Sequence, residues 1–142
     1  MKNSKTYSTL FLLLFATVSI FTGCSSDDNN PTANVTINEG PNGDIGGDFT
    51  GNGGSTTETF SWQNGLQTAD YNADITSTAT GTFQMIIKDA DGATVLDRSL
   101  TGSMEPDSFS GVTSSGTSGS WTVTISLTNF NGDGSFSLSE GN

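Results

Sequence analysis

The chain has 142 residues, a formal net charge of −11 and no histidine. That length holds one domain, and the missing imidazole removes Ser-His-Asp and Cys-His catalysis together with the usual zinc sites. One cysteine excludes an intrachain disulfide, and four Lys and Arg against fifteen Asp and Glu leave too few cations to neutralise the phosphates of a nucleic acid.

Lys2 and Lys5 precede a twelve-residue apolar run, Leu10 to Phe21, broken only by Thr17 and Ser19. A transmembrane helix needs about 20 apolar residues, so the run suits the hydrophobic region of a secretion signal. It ends in Phe21-Thr22-Gly23-Cys24. Here the chain resembles bacterial lipoproteins, whose lipobox has a bulky apolar residue, two small residues and then cysteine; Phe21 stands where leucine is usual. The resemblance implies cleavage between Gly23 and Cys24 and a diacylglycerol thioether on Cys24, which would be the contact with a lipid bilayer. Two or more acyl chains make such anchoring stable. Ser25-Ser26-Asp27-Asp28-Asn29-Asn30-Pro31 follows. It resembles the acidic surface-export tag of Bacteroidota lipoproteins, which implies an outer-membrane protein exposed at the cell surface. The same composition also suits a plain solvated tether. The expected organisation is a signal over 1–23, a lipidated tether over 24–34 and a folded domain over 35–142. Without Lys2 and Lys5 the charge of −11 becomes −13, and Lys88 and Arg98 are the only cations left. Such acidity favours solubility and also cation uptake.

Beyond the tether no window keeps a 3.6-residue apolar period, and the alternation of apolar and polar residues predicts strands throughout. Ala33 to Asn38 places Val35 and Ile37 on one face. Glu39 to Asp48, acidic and glycine-rich, reads as a loop in which Asp44 and Asp48 could share a cation. Thr57 to Trp62 places Phe60 and Trp62 together, and Asn64-Gly65 then turns. Tyr71 to Thr80 aligns Tyr71, Ala73 and Ile75, and Thr82 to Lys88 aligns Phe83, Met85 and Ile87. Asp89-Ala90-Asp91-Gly92 is a hairpin signal because Asp-Gly supplies the positive φ such turns need. Ala93 to Leu100 returns, and Gly111 to Gly119 reads as a mobile connector in preference to a flexible binding loop. Ser120 to Leu127 aligns Trp121, Val123, Ile125 and Leu127. Asn129 to Gly134 turns, and Phe136 with Leu138 closes the pattern. About eight short strands at this spacing predict an all-β fold, an antiparallel β-sandwich or jelly-roll. The stretch from Gly81 to Leu138, with its D-x-D-G hairpin, Gly/Ser loop and G-x-W-x-V-x-I run, resembles the pre-peptidase C-terminal type of β-sandwich module. That resemblance implies a noncatalytic role.

Two candidate sites stand out. Asn129 to Glu140 has the spacing of an EF-hand loop, with oxygen ligands at Asn129, Asn131 and Asp133, glycine at the sixth position and Glu140 at the twelfth, so calcium is the one cofactor suggested. Position one is Asn rather than Asp, and a strand precedes it, which favours a hairpin turn. Among the aromatics, Trp121 aligns with apolar neighbours and reads as core. Trp62 lies beside a turn and is the better candidate for an exposed sugar platform, with Tyr71 as helper, although its alignment with Phe60 also suits the core. No pair of carboxylates is marked out by context for glycoside hydrolysis. The sequence thus points to a noncatalytic, surface-anchored interaction or structural module. The alternatives are a glycan-binding accessory of a polysaccharide-uptake system and a calcium-stabilised β-module; the partner would be a glycan or a cell-surface protein.

Overall fold

A computed structural model of the chain describes residues 30–38 and 42–141. The described elements are seven strands and no helix: β1 (Ala33–Ile37), β2 (Ile45–Asn64), β3 (Ala69–Ile75), β4 (Thr80–Lys88), β5 (Thr94–Thr101), β6 (Ser108–Val112) and β7 (Gly119–Glu140). All strand pairings are antiparallel. The all-β expectation holds. Its eight short strands become seven, because β2 and β7 are 20 and 22 residues long.

The two long strands pair from Ile45↔Leu138 to Asn64↔Gly119 and are the spine of the molecule. Their register slips between Asn52 and Thr56, where Gly53 has φ +96° and Asn129 has φ +46°. Such a bulge bends a ribbon sharply. The halves beyond the bend face each other: Phe49 in the first half of β2 stacks at 4.4 Å on Phe83 of β4, and Phe60 in the second half meets Phe136 of β7 at 6.1 Å. One hydrogen-bonded sheet is thereby folded into two layers. The first layer runs β5, β4, β7 (119–128), β2 (56–64). The second runs β1, β2 (45–51), β7 (132–140), β3, β6.

Alternation fills the space between the layers. Trp121, Val123, Ile125 and Leu127 of β7 are buried, as are Phe83, Met85 and Ile87 of β4, and Ala69, Tyr71, Ala73 and Ile75 of β3. Their outward neighbours are mostly polar, and on the β2–β7 face they are hydroxyls, with Thr57–Ser126 and Thr59–Thr124 bonded across strands at 3.1 Å. Among the described residues every buried side-chain nitrogen and oxygen has a hydrogen-bond partner, as a stable core requires.

Three segments depart from expectation. Glu39 to Asp48 is strand from Ile45 onward, while residues 39–41 lie outside the described residues. Asn129 to Gly134 is not a turn between strands but the continuation of β7 past its bulge. The connector expected from Gly111 follows a strand, β6, that already contains Gly111 and Val112. Glycine hid the first two. Gly47, Gly51 and Gly134 occupy inward positions where an apolar residue was expected, because rings from adjacent strands lie over them. A Cβ on Gly47 would stand 2.7 Å from the Phe136 ring, and one on Gly134 would collide with the Phe49 ring. Strand positions of this kind belong to glycine by space, and the alternation signal is lost there.

Candidate functional site: a polar cleft at the open pole

Folding the β2–β7 ribbon brings its four ends together at the pole opposite the bend. The residues before β2, the β2 terminus, the start of β7 and its end enclose a cleft of about 400 Å³. Asn42, Gln63, Ser118 and Glu140 bring side chains to it, and Gly43, Asn64, Gly65 and Gly119 supply the rest of its wall.

The two tryptophans hold the walls in place from below. Trp62 and Trp121 are fully buried and meet edge to face at 6.0 Å. The Trp62 Nε1–H donates to the Gly43 carbonyl at 2.7 Å, and the Trp121 Nε1–H donates to the Thr117 carbonyl at 2.7 Å. Each indole thus ties one wall of the cleft to the core, a buried aromatic body with a satisfied polar handle. Asn64 is 1% exposed; its Nδ2 donates to the Thr68 carbonyl and its Oδ1 accepts from the Leu66 amide, both at 3.0 Å, which fixes the turn after β2. Glu140 accepts from the Gly65 amide and closes the ring of contacts between the layers.

Asp89 secures the Ser118 wall from the β4–β5 hairpin. One carboxylate oxygen accepts from the Thr117 amide at 2.8 Å; the other accepts from Ala93 at 2.8 Å and Asp91 at 3.1 Å. The Thr117 amide first, and then those of Ala93, Asp91 and Gly92, lower its pKa below the ordinary 3.8, against an opposing push from burial. The folded chain therefore binds this proton more weakly than the unfolded chain. The stabilisation is present above pH 3.8 and is lost as pH falls through the lower folded value. Asp89→Asn is expected to lower the melting temperature at neutral pH. Its deficit against the wild type should shrink as melts are repeated down to pH 2.

The sequence-named residues fall in three places. Trp62 is in the core with no face toward solvent, so it is not a sugar platform; aligning with Phe60 put it on the inward face. Tyr71 is 8% exposed, its ring packed edge to face on Phe109 at 5.8 Å, and it offers no platform either. The calcium loop does not form. Asn129, Asn131 and Asp133 lie along an extended strand paired with β2, and Glu140 is eleven residues beyond Asn129, about 36 Å of strand. Among the described residues no cluster of three Asp or Glu could hold a metal ion. Glu140 belongs to the cleft instead. Gly23 and Cys24 lie outside the described residues. Sequence reasoning missed Asn42, Gln63 and Ser118, which come from separate segment ends and form no local motif.

The cleft offers two amides and a hydroxyl, which both donate and accept hydrogen bonds, and one carboxylate, which accepts. That set suits a neutral ligand rich in hydroxyl groups. A single carboxylate suits a divalent cation poorly, since calcium takes six to eight oxygens. A second cleft of about 320 Å³ opens at the bent pole beside Ile75, Thr76, Ser103 and Met104, with Glu105 and Asp107 in its wall.

No family model matches the chain, and no curated protein matches it. Among solved structures it is similar to TmCBM61, solved with β-1,4-galactotriose, at 9% identity and a TM-score of 0.38 over 79% of this chain and 89% of the other. It is also similar to a family 11 carbohydrate-binding module from Clostridium thermocellum, solved with a β-1,3-1,4-mixed-linked tetrasaccharide, at 12% identity and a TM-score of 0.36 over 78% of this chain and 81% of the other. At such scores neither likeness carries a residue or a ligand over to this chain.

Proposed function

We propose that this chain is a noncatalytic binding module, carried at the outer surface of a bacterial outer membrane on an acylated Cys24, that takes a glycan in its open-pole cleft. The observation that carries the reading is the cleft itself: Asn42, Gln63, Ser118 and Glu140 brought together on walls that two buried indoles hold rigid. Prepositioned donors and acceptors are what a hydroxyl-rich ligand needs, because little ordering remains to be done on binding.

The direction of presentation supports it. Thr32, just before β1, lies at the bend, where its carbonyl accepts from the Asn52 and Gly54 amides at 2.9 and 3.2 Å. β1 then runs from Gly51 toward Gly47, away from the bend. A chain anchored upstream of Thr32 would present the cleft from the pole farthest from the lipid.

Binding is read on a glycan array with the soluble fragment from Ser25 onward. Gln63→Ala is expected to reduce affinity roughly tenfold, the loss of one or two hydrogen bonds, with an unchanged melting temperature. Silence across the array sinks the glycan reading. The noncatalytic reading is checked at the second cleft: cleavage of any array glycan, abolished in Glu105→Gln, would overturn it. Placement is tested separately. Radiolabelled palmitate should mark the full chain and leave Cys24→Ala unmarked.

A further inference from the structure

The two layers differ by one strand, and the difference falls at a single margin. In the second layer β1 extends the sheet beyond β2; in the first layer no described strand lies beyond the second half of β2. The inner face of β1 therefore packs against the margin of the core but has no strand of the first layer opposite it. Ala33, Val35 and Ile37 are only partly buried, and so is Phe60 on the adjoining stretch of β2, whereas Trp62 two residues on is fully buried.

The same margin is an open backbone edge. It is bounded at one end by Thr32 against Gly54 and at the other by the bridge from Asn42 to Gln63. Between them Thr56 to Ser61 pairs with β7 in unbroken register, so alternate residues turn their N–H and C=O groups outward. Thr57, Glu58, Thr59 and Ser61 are exposed. Natural edges are blunted by charged side chains, proline or a bulge; beyond the bulge at Thr56 this stretch has no proline and a single charge, Glu58. The opposite margin of the layer, β5, carries Asp97 and Arg98.

We propose that this margin accepts an extended strand from another protein, which adds to Thr56–Ser61 as a fifth strand of the first layer and lays alternate apolar side chains over Val35, Ile37 and Phe60. The ladder supplies affinity and the apolar strip supplies register, the division of labour in strand addition generally. Charge selects the partner. Glu58 lies on the edge, while Lys88 and Arg98 are on β4 and β5, away from it. The incoming strand is therefore flanked by lysine or arginine. A second copy of this chain, itself strongly acidic, brings another Glu58 to the margin. The chain's own Ser25 to Pro31 has no apolar side chain for the strip and adds two carboxylates.

The probe is a synthetic nonapeptide alternating valine and threonine between lysine ends, titrated into the fragment from Ser25 onward and followed by amide hydrogen exchange. The expected result is new protection confined to Thr56–Ser61, absent with a peptide N-methylated at alternate amides. Glu58→Lys, at an exposed position, should weaken binding roughly tenfold. Protection elsewhere, no protection at millimolar peptide, or a dimer that already protects this edge without peptide each overturns the proposal. Glycan binding in the cleft beyond Gln63 is read separately, on the array and through Gln63→Ala.

Discussion

Trp62→Ala is expected to destabilise the fold by about 3–5 kcal/mol, the usual penalty for deleting a fully buried large aromatic, and to abolish ligand binding with it. The indole is 0% exposed, meets Trp121 edge to face and holds the Gly43 wall through its Nε1. Urea unfolding measures the loss. Trp62→Phe separates the two duties, since it keeps most of the apolar body and removes the hydrogen bond. It should cost the fold far less while still loosening the cleft, so ligand affinity falls more than stability does. An alanine variant that melts like the wild type would mean the indole is not core at all. Loss of binding in Trp62→Ala alone therefore says nothing about sugar stacking.

A matched pair of glycine substitutions should show the second large effect. Gly81 and Gly92 share a φ of +82°. Around Gly92 no atom lies within 4 Å of an added Cβ, whereas around Gly81 the Cβ would overlap the Asn129 and Thr128 carbonyls, both rigid backbone. Gly92→Ala carries only the left-handed penalty, about 1–2 kcal/mol. Gly81→Ala carries that and a collision at the bend, where β4 crosses from Asn131 to Thr128 on its partner β7. It is expected to lose more than about 4 kcal/mol, which is exceptional for a single substitution. Equal melting temperatures for the two variants would show that the bend is softer than its geometry implies.

The sandwich was legible where side chains alternate. Trp121 to Leu127 and Phe83 to Ile87 predicted buried strands and are buried strands, and Asp89-Ala90-Asp91-Gly92 predicted a hairpin and forms one. It was illegible where glycine takes the inward position. Gly47 and Gly134 make room for rings that belong to other strands, and the sequence places those rings far away, with Phe136 89 residues from Gly47 and Phe49 85 residues from Gly134. The bend was hidden for a related reason. Asn129 to Gly134 has turn composition, and a bulge inside a long strand uses the same residues as a turn that ends one. The cleft had no local signature, because strand ends meet there only once the ribbon has doubled over. Glu140 was singled out for a metal through its spacing from Asn129, a spacing that an extended strand stretches out of reach.

The pairing of β2 with β7 also sets the order of events in folding. Ile45 meets Leu138 and Asn64 meets Gly119, contacts spanning much of the chain, and β7 is also the neighbour of β3 and β4. Such high contact order makes acquisition of the native state slow, because loop closure precedes the contacts that reward it. Among the described strands, only the β4–β5 and β1–β2 hairpins can form early from local pairing. Until the last segment arrives the polypeptide has no spine, and so it stays pliable until its C-terminal end is free to join.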